Sequence, residues 1–226
     1  MARVGLAGWP FALARYAAEF PAVEVNSSFY RLHRRSTYAR WADTTPPGFR
    51  FSVKIPRTIT HEQGLVAVGG LLDEFLATVA GLGDKLEVLL VQIPPKLAFD
   101  ARVASCFLRM LRARTDRAVA FEPRHATWFE PRAEALLLRY GISRVAADPL
   151  RAPDGMEPRG SPRVVYFRLH GSPRMYWSAY GPERLDALCA RIAVHPNAWC
   201  IFDNTAAGAA IDDARYTLER LRSLEP

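Results

Sequence analysis

Short runs rich in β-branched and aromatic residues alternate along the chain with longer segments of helical period. Such alternation favours a parallel sheet whose strands are joined by crossover helices. The pattern predicts eight strands, at Arg3–Ala7, Ala22–Asn26, Phe49–Ile55, Leu86–Ile93, Ala118–Glu122, Ser143–Ala147, Arg163–His170 and Trp199–Asn204. It predicts helices at Thr37–Thr44, Leu71–Leu82, Ala101–Ala113, Trp128–Tyr140, Pro182–Val194 and Ala206–Leu221. We therefore expect an α/β fold, a single (β/α)8 barrel of the TIM type in a compact variant.

The chain has no segment that separates two domains. The Pro-, Gly- and Arg-rich run Leu150–Pro162 is too short for a domain linker, and no internal repeat is present. Half of the 226 residues are hydrophobic, which is enough for a full core. We expect one domain over residues 1–226.

Polar residues gather at the C-terminal ends of the predicted strands. Side chains alternate between the two faces of a strand, so Glu24 shares a face with Asn26, and Arg168 with His170. The strand-ending polar residues are Glu24, Asn26, Lys54, Gln92, Glu122, Arg168, His170, Asp203 and Asn204. In barrels of this type the C-terminal ends of the strands form the mouth where ligands bind. The pattern predicts a site at that mouth.

Buried ion pairs offer a structural explanation for some of these residues. Lys54 with Glu24, or Arg168 with Glu122, could pair only to satisfy one another. Charged side chains from six strands favour a functional site more strongly, because each charge lowers stability unless it is paired or wet.

The segment Phe121–Trp128 holds a strand-ending carboxylate, an arginine, a histidine and an aromatic residue. Arg124 could bind a carboxylate or phosphate, and His125 could transfer protons near neutral pH. Trp128 is a candidate wall of the site. Alternatively, Arg124 and His125 only connect the loop to neighbouring carboxylates.

The segment Glu24–Tyr30 supplies amide and hydroxyl groups after the second strand. Asn26 and Tyr30 could hydrogen-bond to a polar substrate. The structural alternative is a capping loop in which Asn26 satisfies backbone donors.

The formal net charge is +7, and nearly all positive charge comes from arginine. Basic proteins often bind nucleic acid, phosphates or acidic ligands. Most of these arginines are scattered over predicted helices, which favours a solvated, salt-bridged surface over a nucleic-acid footprint. A small anionic or polar ligand is the expected partner.

The three cysteines, Cys106, Cys189 and Cys200, are far apart and lack a Cys-x-x-Cys spacing. The apolar run at Val4–Ala14 is interrupted by Trp9-Pro10, which argues against a signal peptide. No run is long enough to span a membrane. We expect a cytoplasmic protein.

Ligand types for a divalent metal are present at Glu24, Glu122, His125, His170 and Asp203. No close ligand spacing such as His-x-x-x-His accompanies them. The nearby positive charges of the predicted site would repel a cation and favour an anion. The sequence requires no cofactor, and a metal is the weaker alternative.

Seven motifs together resemble the YecE-like family, a domain of unknown function, over nearly the whole chain. They are Val4–Trp9, Val23–Tyr30, Phe51–Pro56, Gln92–Pro95, Glu122–His125, Arg168–Gly171 and Asp203–Asn204. The resemblance implies a TIM barrel but no reaction. Its motif positions fall here on Glu24, Asn26, Lys54, Gln92, Glu122, Arg124, His125, Arg168, His170 and Asn204. Asp203 stands where the family commonly has Asn, and Pro123 where Phe is usual.

The leading hypothesis is an enzyme that acts on a small polar or anionic substrate by acid/base chemistry, either hydrolysis or isomerisation. The candidate proton-transfer residues are Glu24, Glu122, His125 and His170, and the candidate substrate-binding residues are Asn26, Tyr30, Lys54, Gln92, Arg124, Trp128, Arg168, Asp203 and Asn204. The alternatives are a non-catalytic binder of nucleic acid or a phosphorylated ligand, and a metal-dependent, nuclease-like hydrolase.

Overall fold

The computed structural model describes residues 2–149 and 155–224, so the first part of the run Leu150–Pro162 lies outside the described residues. The strands are β1 (Arg3–Leu6), β2 (Ala22–Val25), β3 (Arg50–Lys54), β4 (Leu86–Gln92), β5 (Ala118–Glu122), β6 (Ser143–Arg144), β7 (Ala146–Asp148), β8 (Arg159–Gly160), β9 (Val165–Leu169) and β10 (Ala198–Phe202). The helices are α1 (Leu13–Glu19), α2 (Arg35–Thr44), α3 (Gly69–Val79), α4 (Ala101–Arg112), α5 (Pro131–Arg139), α6 (Pro182–Ala193) and α7 (Ala209–Ser223).

Local sequence explains where several helices begin. The Asp100 carboxylate caps α4 by accepting hydrogen bonds from the backbone N–H groups of Arg102 and Val103, at 2.8 and 2.9 Å. Pro131 and Pro182 are the first residues of α5 and α6, where a missing N–H has no cost.

The described strands form two sheets. One has the order β1-β10-β9-β7 and the other the order β2-β3-β4-β5-β6-β8. All pairings are parallel except that of β8 with β6. The α/β fold with parallel strands and crossover helices is confirmed, but one closed ring is not among the described pairings.

The two sheets meet at two places. The first is residues 143–148, where β6 pairs with β5 and, after Val145, β7 pairs with β9. The second lies between β1 and β2, which share one parallel bridge at Ala7 and Glu24. Beside this bridge the Tyr16 hydroxyl accepts a hydrogen bond from Leu6 N and donates one to Ala22 O, both at 2.9 Å. A side chain thus replaces part of the missing backbone ladder.

Glycine at position 5 allows this close approach of β1 to β2. A Cβ atom added to Gly5 would lie 2.1 Å from the Ala22 carbonyl oxygen. No side chain fits at that distance, so the close approach of the two strands requires glycine at position 5.

Apolar side chains form two clusters, one on each face of the strands. The larger cluster joins strand residues such as Leu89 and Val91 to side chains of all seven helices. The smaller one contains no helix residue and includes Val88, Leu90 and Tyr166. Continued along β4, β5, β9 and β10, this second face becomes polar at the strand ends, where it carries Gln92, Glu122, Arg168, His170 and Asp203. The alternation expected from the sequence therefore brings these residues to one edge.

The predicted elements occur at their predicted places with shifted ends. The predicted strand Ser143–Ala147 is divided between β6 and β7, and β8 was not predicted. The predicted helix Trp128–Tyr140 begins at Pro131, after a separate 3₁₀ turn at Ala126–Phe129. Among the described residues, every helix is too short or too polar to cross a lipid bilayer.

Candidate active site

Arg168 lies at the centre of the polar edge and is fully buried. Its Nη2 donates to Glu24 Oε1 at 2.7 Å, and its Nε donates to Glu24 Oε2 at 3.0 Å. Its Nη1 donates to Glu122 Oε2 at 3.1 Å, and Nη2 lies 3.0 Å from Asp203 Oδ2. One guanidinium therefore connects carboxylates from three strand ends. We call Glu24, Glu122, Arg168, His170 and Asp203 the buried charge cluster.

Neighbouring polar groups complete the bonding of the cluster's two glutamates. The Tyr166 hydroxyl lies 2.9 Å from Glu24 Oε2 and 2.9 Å from Ser52 Oγ. Gln92 Nε2 donates to Glu122 Oε2 at 3.0 Å. Buried charges with this many partners are held in fixed positions.

His170 connects two carboxylates within the cluster, those of Glu122 and Asp203, and contacts one arginine outside it, Arg124. Its Nδ1 lies 2.9 Å from Asp203 Oδ2, and its Nε2 lies 3.0 Å from Glu122 Oε1. Arg124 Nη2 is 3.0 Å from the same Nε2, and Arg124 Nε is 2.7 Å from Glu122 Oε1. Because a carboxylate only accepts, Nδ1 carries the hydrogen that faces Asp203. Nε2 faces both a donor, Arg124, and an acceptor, Glu122.

Two carboxylates of the cluster, Glu122 and Asp203, have lowered pKa values and are ionised at neutral pH. Burial alone would raise the pKa of Glu122, but the charges of Arg124, Arg168 and His170 outweigh it and hold that pKa well below its usual range. Burial would likewise raise the pKa of Asp203, but the contacts with Arg168 and His170 outweigh burial and lower that pKa. The cluster therefore presents fixed negative charge around a central arginine at neutral pH.

A cavity of about 490 Å³ lies above the cluster. It is lined by Asn26, Phe29, Tyr30, Lys54, Arg57, His61, Gln92, Tyr176, Asp203 and Thr205. Asp203 is the one member of the buried charge cluster in this described lining, and the other four members lie beneath it. A ligand in the cavity would meet Asp203 and Lys54 rather than Glu24 or Glu122.

Lys54 supplies an amine to this cavity from the end of β3. The side chain is 5% exposed, and its Nζ lies 4.1 Å above the centroid of the Phe29 ring. No described residue accepts a hydrogen bond from Nζ. Burial lowers the pKa of Lys54 to about 8, and the positive charge of Arg168 adds to this shift against the opposing charges of the cluster's carboxylates.

The model of a family described as a protein of unknown function, DUF72, matches residues 5–225. The chain belongs to the DUF72 family. The YecE-like resemblance expected from the motifs is thereby confirmed, since a UPF0759 protein named YecE is among the curated relatives.

Relatives and solved structures agree with this membership. The chain is 34% identical to the UPF0759 protein YecE of Escherichia coli K12 over 82 residues, which are 36% of this chain and 30% of that protein. It is 31% identical to the UPF0759 protein YunF of Bacillus subtilis 168 over 127 residues, 53% of this chain and 44% of that protein. The chain thus matches less than half the length of these curated relatives.

Two crystal structures share the fold of this DUF72 chain. A DUF72 family protein of Enterococcus faecalis V583 superposes with a TM-score of 0.83 at 23% identity, over 98% of each chain. One from Thermotoga maritima MSB8 gives a TM-score of 0.81 at 23% identity, over 98% of this chain and 99% of that one. At this level of identity the comparison shows the fold alone.

His125 and Trp128, both predicted for the site, lie outside the cavity lining of this DUF72 protein and have local structural partners. His125 Nδ1 accepts a hydrogen bond from Thr127 N at 3.3 Å and lies 3.0 Å from Thr127 Oγ1, so it caps the turn Ala126–Phe129. Trp128 is buried against Phe99 and Phe121. Its indole N–H donates to the Leu97 carbonyl at 2.9 Å. Both side chains hold the loop after β5.

Three other predicted residues have mixed surroundings. Asn26 lines the cavity, and its Oδ1 has no hydrogen-bond partner among the described residues. Tyr30 is a largely exposed part of the cavity wall. Asn204 lies outside the described lining and donates to Asp213 Oδ2 at 2.7 Å and to the Ser178 carbonyl at 2.9 Å, which connects the end of β10 to α7.

Sequence reasoning missed Arg57 and His61, which line the cavity from the loop after β3. Their position in the sequence could have identified them, because they follow the strand-ending Lys54, and loops after the C-terminal ends of parallel strands commonly contribute to ligand sites. Partial burial lowers the pKa of His61, and the positive charges of Lys54 and Arg57 lower it further. His61 is therefore neutral at pH 7.

No group of three or more His, Cys, Asp or Glu side chains in residues 2–149 and 155–224 has the arrangement of a metal site. The oxygen atoms of Glu24, Glu122 and Asp203 instead face Arg168, which occupies the position between them. In this arrangement the three carboxylates bind a guanidinium group rather than surround a position for a metal ion.

Proposed function

We propose that this protein is an enzyme that acts on a small anionic substrate by acid/base chemistry in the 490 Å³ cavity. The observation that carries the proposal is the Lys54 amine, which is buried, faces the cavity and has no hydrogen-bond acceptor among the described residues. A lysine kept only for structure would be expected to pair with one of the carboxylates near it. Here Arg168 binds those carboxylates and leaves the amine for a ligand.

Lys54 and Asp203 are the proposed proton-transfer groups, because both reach the cavity. A lysine with a pKa of about 8 changes its protonation state readily near neutral pH. His170 and Glu122 act as positioning residues that hold Asp203 from below through the 2.9 Å contact of His170 Nδ1. This proposal moves the proton-transfer role from Glu24 and Glu122 to residues that a substrate can contact.

The positive charge of Lys54 supports an anionic substrate, and Arg57, which also pairs with Glu62 at 3.0 Å, lies beside it. Both line the cavity, and His61 adds a neutral hydrogen-bonding group beside them. On the outer surface many arginines are already paired with carboxylates, as in Arg114 with Asp73 at 2.8 Å. This pairing weakens the field that non-specific nucleic-acid binding requires and favours the small ligand.

The same proposal includes a closed barrel. Parallel pairing runs from β2 to β6, continues from β7 through β9 and β10 to β1, and returns to β2 through the bridge at Ala7 and Glu24. Counting residues 143–148 as one strand, this ring has eight members, as in a TIM barrel.

The free thiols of Cys106, Cys189 and Cys200 support our further proposal of a cytoplasmic location.

Sulfate binding tests the proposal, because the charge of sulfate stays constant across neutral and basic pH. Isothermal titration with sodium sulfate should show saturable binding at pH 7, where Lys54 is mostly protonated. The affinity should fall about tenfold between pH 7 and pH 9.5, as Lys54 with its pKa of about 8 loses its proton. At pH 7, Lys54→Met should weaken binding by about the same factor.

Arg114→Met is the matched control, because it removes one positive charge from the surface pair with Asp73. Its sulfate affinity should stay within about twofold of that of the unchanged protein, since the charge lies outside the cavity. Sulfate binding that is independent of pH, or equally strong in Lys54→Met, would contradict the proposed site.

A further inference from the structure

We infer that Lys54 forms an iminium with an aldehyde or ketone group of the substrate. The inference rests on the proposed function and names the substrate class of the same cavity, a carbonyl compound that also carries an anionic group. The geometry behind it is an amine that is enclosed, has no hydrogen-bond acceptor in residues 2–149 and 155–224, and faces an open volume.

Burial and the neighbouring Arg168 disfavour the protonated form of Nζ, and they outweigh the cation–π contact that the Phe29 ring face offers it. One side of the amine faces the Phe29 ring at 4.1 Å, and the guanidinium of Arg168 contributes positive charge from below. The carboxylates of Glu24 and Glu122 are bonded to Arg168 rather than to Lys54. A lysine in a desolvated site beside another cation is a recognised arrangement for Schiff-base chemistry.

Because burial lowers the pKa of Lys54 to about 8, roughly a tenth of its amine groups are neutral at pH 7. An ordinary exposed lysine has a neutral fraction of only about 0.04% at the same pH. The neutral form carries the lone pair that attacks a carbonyl carbon. Lys54 therefore has a reactivity advantage of about two orders of magnitude from protonation alone.

The chemistry balances with groups present in the cavity. The neutral Nζ adds to the carbonyl carbon and forms a C–N bond as the C=O π bond breaks, while the carbonyl oxygen takes up a proton from solvent water to give a carbinolamine protonated on nitrogen. Nitrogen then loses a proton, which the Asp203 carboxylate in the cavity lining can accept. The same proton returns to the hydroxyl group as it leaves as water, which gives the iminium. Addition of water reverses these steps and needs no oxidant or reductant.

The two other lysines of the chain provide internal comparisons. Lys85 Nζ donates to the carbonyls of Ala42 and Thr45, both at 2.6 Å, so its amine is occupied. Lys96 is exposed on the loop after β4. With three lysines in the sequence, a covalent label can be assigned to its residue by peptide mass spectrometry.

The test uses glycolaldehyde phosphate, an aldehyde with an anionic group, and sodium cyanoborohydride, which reduces an iminium to a stable secondary amine. The protein is treated at pH 7.5 and digested, and the labelled fraction of each lysine is measured over time. We expect Lys54 to be labelled at least tenfold faster than Lys96. Added sulfate should slow labelling of Lys54 and leave that of Lys96 unchanged, because sulfate competes for the cavity.

Labelling of Lys54 at or below the rate of Lys96 would overturn the iminium. If sulfate still binds with the expected pH dependence, the acid/base proposal survives that result and the carbonyl substrate class alone is lost. If sulfate also fails to bind, both proposals fall. The comparison is made within the unchanged protein, so it does not depend on the folding of a variant. In Lys54→Arg, which keeps the charge, the rapid labelling should disappear.

Discussion

Arg168→Met is expected to lower the free energy of unfolding at pH 7 by about 3–5 kcal/mol, because it leaves three buried carboxylates without their shared cation. Arg168 bonds Glu24 and Glu122 directly and lies 3.0 Å from Asp203, and all of these groups are buried. Methionine fills a similar volume, so the loss comes mainly from uncompensated charge. Urea denaturation followed by circular dichroism measures the effect.

The pH dependence of the same variant gives a signature of charge rather than packing. In the unchanged protein the pKa values of Glu122 and Asp203 are lowered, so the stability they contribute is present above about pH 4 and is lost as the pH falls through their folded pKa values. Without Arg168, burial dominates and those pKa values rise. Arg168→Met should therefore regain stability, relative to the unchanged protein, as the pH is lowered from 7 toward 5.

Arg114→Met is again the control, because its pair with Asp73 lies at the surface and should be worth no more than about 1 kcal/mol. If Arg168→Met were as mild as this control at pH 7, the cluster would not depend on its central arginine. The assignment of Arg168 as the organising residue would then be wrong.

Lys54→Met is expected to have the opposite effect on stability. Folding lowers the pKa of Lys54 from 10.5 to about 8, which means that the folded state disfavours the protonated amine. Replacing that amine by a methionine of similar length should raise the free energy of unfolding at pH 7 by about 1–3 kcal/mol. The same variant should bind sulfate about tenfold more weakly, so stability and ligand binding change in opposite directions, as at sites shaped for activity.

The stability gain of Lys54→Met should depend on pH, because the folded and unfolded chains bind the Lys54 proton with different affinities. Between pH 8 and pH 10.5 the unfolded chain holds the Lys54 proton more tightly than the folded chain, so the stability of the unchanged protein rises with pH across that window. Lys54→Met lacks this rise, so its advantage should shrink from pH 7 to pH 10. A variant less stable than the unchanged protein at pH 7 would show that Lys54 is a structural partner of the cluster.

The periodic pattern predicted the elements well because burial determines it. Strand β4 is apolar on both faces from Val88 to Val91, and the switch to Gln92 marks the end of the core. The extra strand β8 and the division at Val145 could not be predicted, because they depend on which neighbours the chain meets after folding. The contact of β1 with β2 depends on Tyr16, a helix residue whose pairing with strand atoms has no local sequence signal.

The sequence predicted which residues share the polar strand face, but not how far each of them lies from the cavity. Strand alternation correctly placed Glu24, Glu122, Arg168 and His170 on one face, and the structure joins them in one network. It could not show that these residues lie below the cavity while Lys54 reaches it. Depth along the strand axis depends on strand stagger, which a period-two pattern does not encode.

We propose that Lys54 is a weakly basic amine that faces the cavity. The most direct test is an NMR titration of the protein labelled with ¹³C and ¹⁵N lysine, in which the side-chain signal of Lys54 is assigned by its absence from Lys54→Arg. We expect a titration midpoint of about 8 for this signal. A midpoint near the ordinary lysine value of 10.5 would contradict it.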